Sequence, residues 1–127
     1  MDSESRAAAG LLAALSRASE ILAGLRHPFA RSEHYSYFFP PAGARVGTAL
    51  TLPDGREVRF EVSISASGDA FQVEGAVESE GERLLELSRR SVRDLRDGLA
   101  VFDDYAAEVA APAARLIGEM VEELSDN

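Results

Sequence analysis

Residues 46–88 contain the pattern that most restricts what this chain can fold into. Apolar side chains recur there at every second position, interrupted by turn signals at Pro53-Asp54-Gly55, Gly68-Asp69 and Glu80-Gly81. A period of two is typical of a strand that has one face in a core and the other in solvent. Pro, Asp and Gly provide the backbone angles that tight hairpin turns require. The segment therefore predicts a four-stranded antiparallel meander.

The lengths of the loops predict how the four strands align. Loops of three, two and three residues keep the apolar side chains on one face. A slip of one residue at any loop would turn a strand's core positions into solvent. The cross-strand pairs predicted in this way include Thr48 with Phe60, Ile64 with Val73, and Val73 with Leu87.

The opposite face of the meander collects acidic side chains, namely Glu57, Glu61, Glu74, Glu78 and Glu86. The first strand adds only small residues there, among them Gly47 and Ala49, which permits close approach by another chain. Two interpretations stay open. The face is solvated, as one face of an antiparallel sheet commonly is, or it docks a basic partner. For docking, the candidate contacts are Glu57, Glu61 and Glu74.

Apolar residues at spacings of three and four predict two amphipathic helices, one over residues 1–26 and one over residues 91–125. Pro112 lies inside the second helix, where it predicts a kink or a break. Both helices are expected to cover the apolar face of the meander, residues 46–88. The result is a two-layer α+β sandwich in a single domain over residues 1–127.

The second helix is longer than the sheet that it covers. At 1.5 Å per residue it would reach roughly 50 Å, whereas strands of this kind span roughly 30 Å. Its last part has an apolar face that needs cover, either from the first helix or from a second copy of the chain. The second alternative predicts a dimer interface at Leu116, Ile117, Met120, Val121 and Leu124.

Residues 27–45 interrupt both patterns and are expected to form an aromatic linker or, over 34–39, an additional edge strand. They hold both histidines, the Pro40-Pro41 pair, and the aromatic residues Phe29, Tyr35, Tyr37, Phe38 and Phe39. Three interpretations compete. The aromatic side chains fill the gap between helix and sheet, or Tyr35, Tyr37, Phe38 and Phe39 anchor a partner, or His34 forms a small-molecule pocket with Tyr35 and Tyr37.

Composition narrows the possible chemistry. The chain has no Cys and no Lys, which excludes disulfides, thiolate nucleophiles and Schiff bases. Its net charge of −9 argues against binding nucleic acid or anionic membranes and is compatible with a basic protein partner. No long apolar run or signal sequence is recognisable, so a cytoplasmic protein is expected.

One basic cluster stands out in this acidic chain. Arg89, Arg93 and Arg96 would share a face if the second helix included them, and they form a weak candidate for an anion site. The carboxylates of the helices are expected to be solvated, and no metal site or cofactor is predicted.

These observations favour a non-catalytic protein-interaction module. The expected form is a homodimeric adaptor, a chaperone-like protein or an inhibitor of a basic partner. No recognisable catalytic motif supports an enzyme. The alternative is a small-ligand-binding or enzymatic domain with a pocket near His34, Tyr35 and Tyr37.

Overall fold

The computed structural model describes residues 3–39 and 43–125. They form an α+β fold in which an N-terminal helix precedes a five-stranded antiparallel sheet and a long C-terminal helix follows it. The elements are α1 Ser3–Ala23, β1 Arg31–Phe39, β2 Gly43–Thr51, β3 Glu57–Ser67, β4 Ala70–Ser79, β5 Glu82–Val92 and α2 Leu95–Ser125. The strands are neighbours in chain order from β1 to β5, as a meander requires.

The sheet has five strands instead of four, because the aromatic segment forms the edge strand β1. It pairs with β2 along its whole length, from Arg31 opposite Thr51 to Phe39 opposite Gly43. Of the two alternatives left open for this segment, the edge strand is confirmed. Aromatic side chains suit a pleated surface that is only partly buried. Pro40-Pro41 lies outside the described residues.

The predicted register is confirmed at the first two turns. Thr48 lies opposite Phe60, and Ile64 lies opposite Val73. Because both loops have the predicted length, β2, β3 and β4 share one apolar face. Phe60, Ile64 and Val73 are all at most 1% exposed.

The predicted register is wrong at the third turn. Glu80 and Gly81 both have positive φ, 51° and 82°, which is the backbone of a two-residue type I′ hairpin. Two irregularities of register between β4 and β5 then shift the pairing further from the predicted one. As a result Val73 lies opposite Arg90 and not opposite Leu87.

The C-terminal helix begins later than predicted, because residues 91 and 92 complete β5. Asp94 caps α2, since its Oδ1 accepts a hydrogen bond from the backbone N–H of Arg96 at 3.0 Å. The helix continues through Pro112, so the predicted break is wrong, while a bend there stays a prediction. Val109 and Ala113, on either side of the proline, are fully buried and hold this turn in the core.

The two helices divide one face of the sheet between them. Helix α1 packs on β1 and β2, whereas α2 packs on β3, β4 and β5 and also on α1. The largest fully buried side chains include Phe60, Phe102, Leu11, Leu22 and Leu50. This two-layer core leaves the opposite face of the sheet without a covering element in the described chain.

The apolar end of α2 is covered largely within the chain. Ile117 and Val121 are buried, with 2% and 6% exposure, and Leu116, Met120 and Leu124 pack against the same core while partly exposed. Two of the five residues predicted at a dimer interface, Ile117 and Val121, are therefore buried without a second copy of the chain.

We expect Asp94→Ala to lower the free energy of unfolding by about 1 kcal/mol, because it removes the side-chain cap of α2. Asp104→Ala, at an exposed position inside the same helix, is the matched control and should change stability by less than about 0.5 kcal/mol. Urea denaturation followed by circular dichroism measures both. Equal losses in the two variants would show that Asp94 does not act as a cap.

Candidate functional site

The face of the sheet that points away from both helices, called the outer face here, is the candidate site. Side chains alternate between the two faces of a strand. Along β1 the side chains of Tyr35, Tyr37 and Phe39 therefore lie on the outer face, and His34 and Phe38 lie on the helix side. Phe38 packs against the core, so it is not one of the exposed partner anchors that the sequence suggested.

Tyr35, Tyr37 and Phe39 lie next to one another along the edge of the outer face and form an aromatic row. The ring centroids of Tyr35 and Tyr37 are 5.9 Å apart, and those of Tyr37 and Phe39 are 6.3 Å apart with planes inclined by 20°. Both separations lie in the favourable range for aromatic pairs. Tyr37 and Phe39 are 52% and 58% exposed, so the row presents apolar surface to solvent.

Tyr35 is the fixed end of the aromatic row. Its ring lies over Gly47, where a Cβ would collide with the ring and its hydroxyl and would come within 2.6 Å of the Phe60 carbonyl oxygen. The guanidinium carbon of Arg59 lies 5.8 Å from the ring centroid, within reach of a cation–π contact. The missing side chain of Gly47 thus leaves room for the Tyr35 ring, which covers this position.

The Tyr35 hydroxyl is buried and has no hydrogen-bond partner among residues 3–39 and 43–125. Burial, and next to it the negative charge of Glu61, raise the pKa of Tyr35 above its ordinary value. The ring is therefore a neutral phenol at physiological pH. Its role is to support the row by packing, since its hydroxyl donates to no other group of the described chain.

Ion pairs cover the rest of the outer face. Arg45 binds Glu61 at 2.9 Å, Arg59 binds Glu57 at 3.0 Å, Arg83 binds Glu78 at 3.0 Å and Glu86 at 2.6 Å, and Arg89 binds Glu74. All these side chains are partly exposed, and such pairs contribute roughly 0–1 kcal/mol each. The three glutamates predicted to contact a partner therefore each have an arginine neighbour, and the face carries mixed charge.

The excess of acid lies mainly on the other side of the molecule. Helix α2 contains seven Asp and Glu residues and two Arg residues, a difference of five negative charges out of the chain's nine. Asp104, Glu108, Glu119 and Glu122 are exposed along it. More of the net negative charge thus lies on the helix layer than on the sheet.

A shallow groove runs beside the aromatic row. Its lining includes Tyr35, Tyr37, Ala49, Arg45, Arg59 and Glu61. Ala49, which is 8% exposed, lies at the base of the groove, and the ion-paired side chains form its rim. The groove is partly open to solvent, unlike the concave sites that bury most of a small molecule.

His34 does not join Tyr35 and Tyr37 in one pocket, because it lies on the helix side of β1. Its Nε2 is 2.6 Å from the hydroxyl of Ser19, and its Nδ1 is 3.3 Å from the hydroxyl of Thr48. Thr48 is buried and donates its own proton to the Leu22 carbonyl at 2.7 Å. In the neutral ring, Nδ1–H therefore donates to Thr48, and Nε2 accepts from Ser19.

This hydroxyl–imidazole–hydroxyl chain has the order of a nucleophile, a base and an orienting group. Ser19, however, lies inside α1, where backbone N–H groups are engaged by the helix and cannot stabilise an oxyanion. The arrangement links α1 to β1 and β2 and gives no catalytic site. The enzymatic alternative near His34 therefore has no geometric support.

The basic cluster is also dispersed. Arg89 belongs to β5 and pairs with Glu74 on the outer face, Arg93 lies between β5 and α2, and Arg96 lies in the first turn of α2. The three residues would share one helical face only if the helix included them all, and the helix begins at Leu95. No anion site is assembled from them.

In residues 3–39 and 43–125, neither helix combines the length and the apolar composition that a bilayer crossing requires. Within the same ranges, no three His, Asp or Glu side chains gather closely enough to hold a metal ion. Comparison with protein-family models, with curated proteins and with solved structures returns no match for the chain.

We expect Gly47→Ala to destabilise the fold by about 1–3 kcal/mol, because the added methyl group overlaps the Tyr35 ring and the Phe60 carbonyl. Gly118→Ala is the matched control. Nothing lies within 4 Å of a Cβ at that helical position, so it should stabilise the chain by about 0.5–1 kcal/mol. Chemical denaturation measures both, and a stabilising Gly47→Ala would contradict the packing described for Tyr35.

We expect Thr48→Val to lower the free energy of unfolding by about 1–3 kcal/mol, because His34 loses its acceptor and the Leu22 carbonyl keeps only the Leu25 N–H of its two donors. Thr51→Val, at a partly exposed position at the end of β2, makes the same chemical change and should stay within about 0.5 kcal/mol of wild type. Thermal and urea unfolding measure the difference. Similar losses of stability in the two variants would contradict a structural role for the hydrogen bonds that join Ser19, His34 and Thr48.

Proposed function

We propose that this chain is a non-catalytic protein-interaction module that binds a partner protein on its outer face. The observation that carries the proposal is the aromatic row, Tyr35, Tyr37 and Phe39, on a sheet face that no other described element covers. Exposed aromatic side chains are enriched at interfaces, and Tyr is common among the residues that dominate binding energy. The partner would cover the exposed rings of Tyr37 and Phe39.

The surroundings of the aromatic row have the layout of an interface. Contact with the Tyr35 ring and stacking of Tyr37 with Phe39 hold the exposed rings in one arrangement before binding, which reduces the entropy lost on association. The small Ala49 side chain beside the row leaves room for another surface to approach the rings. The ion pairs at the rim are weak in water, so Arg45, Glu61 and their neighbours can exchange partners at small cost.

A basic partner fits the electrostatics of the whole chain. The net charge of −9 attracts a cationic protein over several ångströms and raises its association rate, an effect that salt reduces. Contact then depends on the aromatic row, and orientation depends on the mixed charges around it. An adaptor, a chaperone-like protein and an inhibitor of a basic partner would all use this surface.

The test compares Tyr37→Ala with Leu12→Ala, an exposed apolar residue on the helix side with similar exposure, 47% against 52%. Partners are captured from the native host, and the affinity of a purified partner is then measured by interferometry. We expect Tyr37→Ala to weaken binding by about tenfold or more. Leu12→Ala should change it less than about twofold. Equal affinities for both variants would contradict binding on the outer face.

A second comparison tests the role of charge. Glu61→Arg and Glu20→Arg change the net charge equally, but Glu61 lies on the outer face and Glu20 lies on α1. Glu61→Arg should slow association more than Glu20→Arg does, because it also places three arginines together with Arg45 and Arg59. If both variants slow association equally, the attraction is a property of the whole molecule and not of this face.

A further inference from the structure

We propose that the free edge of β1 is occupied by a second copy of this chain. In this arrangement two β1 strands pair antiparallel about a twofold axis and join the sheets into one of ten strands. The inference does not depend on the proposed partner, because it concerns two copies of the chain alone. It rests on the chemistry of the strand edge, whereas the proposed function rests on the outer face.

Strand β1 presents an unprotected edge. It is the outermost strand, and it pairs with β2 over nine residues without interruption. An edge of this kind offers a row of unpaired N–H and C=O groups that another strand can bind. Charged side chains occur only in its first half, at Arg31, Glu33 and, when protonated, His34, whereas residues 35–39 carry none.

The other edge of the sheet has the features that prevent such pairing. Two irregularities interrupt the alignment of β5 with β4. Charged residues occur along its whole length, at Glu82, Arg83, Glu86, Arg89 and Arg90. Charges and bulges are common protections of edge strands. The contrast between the two edges indicates that β1 is the one available for association.

Twofold pairing centred on Tyr35 fits the side chains of β1. In that register all nine residues overlap, and the aromatic rows of both copies lie on the same face. Arg31 faces Phe39 of the partner subunit, and Glu33 faces Tyr37 of the partner subunit. No charged side chain faces a like charge, and Arg31 gains an aromatic ring as a cation–π neighbour.

Electrostatics favours this edge over the other surfaces of the chain. Two copies each carry a net charge of −9, so contact through the acidic helix α2 brings like charges together. Residues 35–39 contain no charge, and approach there costs the least repulsion. An antiparallel strand is complementary to its own copy, and closed twofold dimers are the commonest assemblies.

The pairing would join the two aromatic rows at the centre of the ten-stranded outer face. Tyr37 and Phe39, which are more than half exposed in the single chain, would then lie between flanking strands. Six rings would form one apolar patch bordered on both sides by ion-paired residues. A partner that binds the outer face would meet this combined surface.

The test measures the mass of the full chain by sedimentation equilibrium between 1 and about 100 μM, without any partner. We expect wild type to approach twice 13.6 kDa. Tyr37→Glu places a second carboxylate opposite Glu33 of the partner subunit and should weaken the dimer by about tenfold or more. Leu84→Glu, an exposed apolar position on the β5 edge with 41% exposure, is the control and should leave the mass unchanged.

Charge reversal tests the register itself. In Tyr37→Glu combined with Glu33→Arg, opposite charges face each other, and the dimer should recover. Circular dichroism confirms that each variant is folded.

A wild-type chain that stays monomeric up to the highest concentration overturns the proposal. A dimer that Leu84→Glu weakens as much as Tyr37→Glu does overturns it as well. Failure of Glu33→Arg to restore the dimer overturns the pairing centred on Tyr35. None of these measurements involves the partner, so the proposed function can fail or hold separately.

Discussion

Burial of one face of β3 beneath the two helices determines the position of every other side chain on the sheet. Phe60 is fully buried near the middle of this central strand. Val58, Val62 and Ile64, at every second residue before and after it, are buried on the same face. Because the period is two, fixing these side chains inward also fixes Glu57, Arg59 and Glu61 outward. A one-residue slip would expose the core side chains and bury charges, so the hydrophobic effect sets both faces at once. The composition of the outer face is thus a consequence of the core.

The aromatic row depends on the same constraint through Gly47. Since Thr48 must point inward opposite Phe60, Gly47 points outward, and its missing side chain leaves space for the ring of Tyr35. Tyr35 is held there between Gly47 and the guanidinium of Arg59. From this fixed ring, Tyr37 and Phe39 extend along the strand in stacked order. Surface residues that would otherwise sample many rotamers are therefore ordered by packing that begins in the core.

The sequence predicts those elements whose pattern lies within a short stretch of neighbouring residues. The apolar alternation through Phe60 and Val73 and the loops before them determine the register of three strands. The turn at Glu80-Gly81 could not be read in the same way, because a glutamate at positive φ is uncommon and the two later irregularities of register have no local signal in the sequence. In β1 the alternation is present, but its aromatic residues point outward and only Phe38 packs inward, so the usual apolar signal is weak. Ion pairs such as that of Arg89 with Glu74 require the final register and have no local signal.

The distribution of charge separates two kinds of contact on one molecule. The acid excess on α2 would attract a cationic protein and repel a second copy, whereas residues 35–39 are uncharged and would do neither. Salt would screen both long-range effects, so it would weaken the approach of a basic partner and relieve the repulsion between copies. The proposed pairing of β1 strands would rely on backbone hydrogen bonds and ring burial, which salt affects little. Under the two proposals, the molecule would associate with itself at an uncharged edge while its outer face stayed open to a partner of opposite charge.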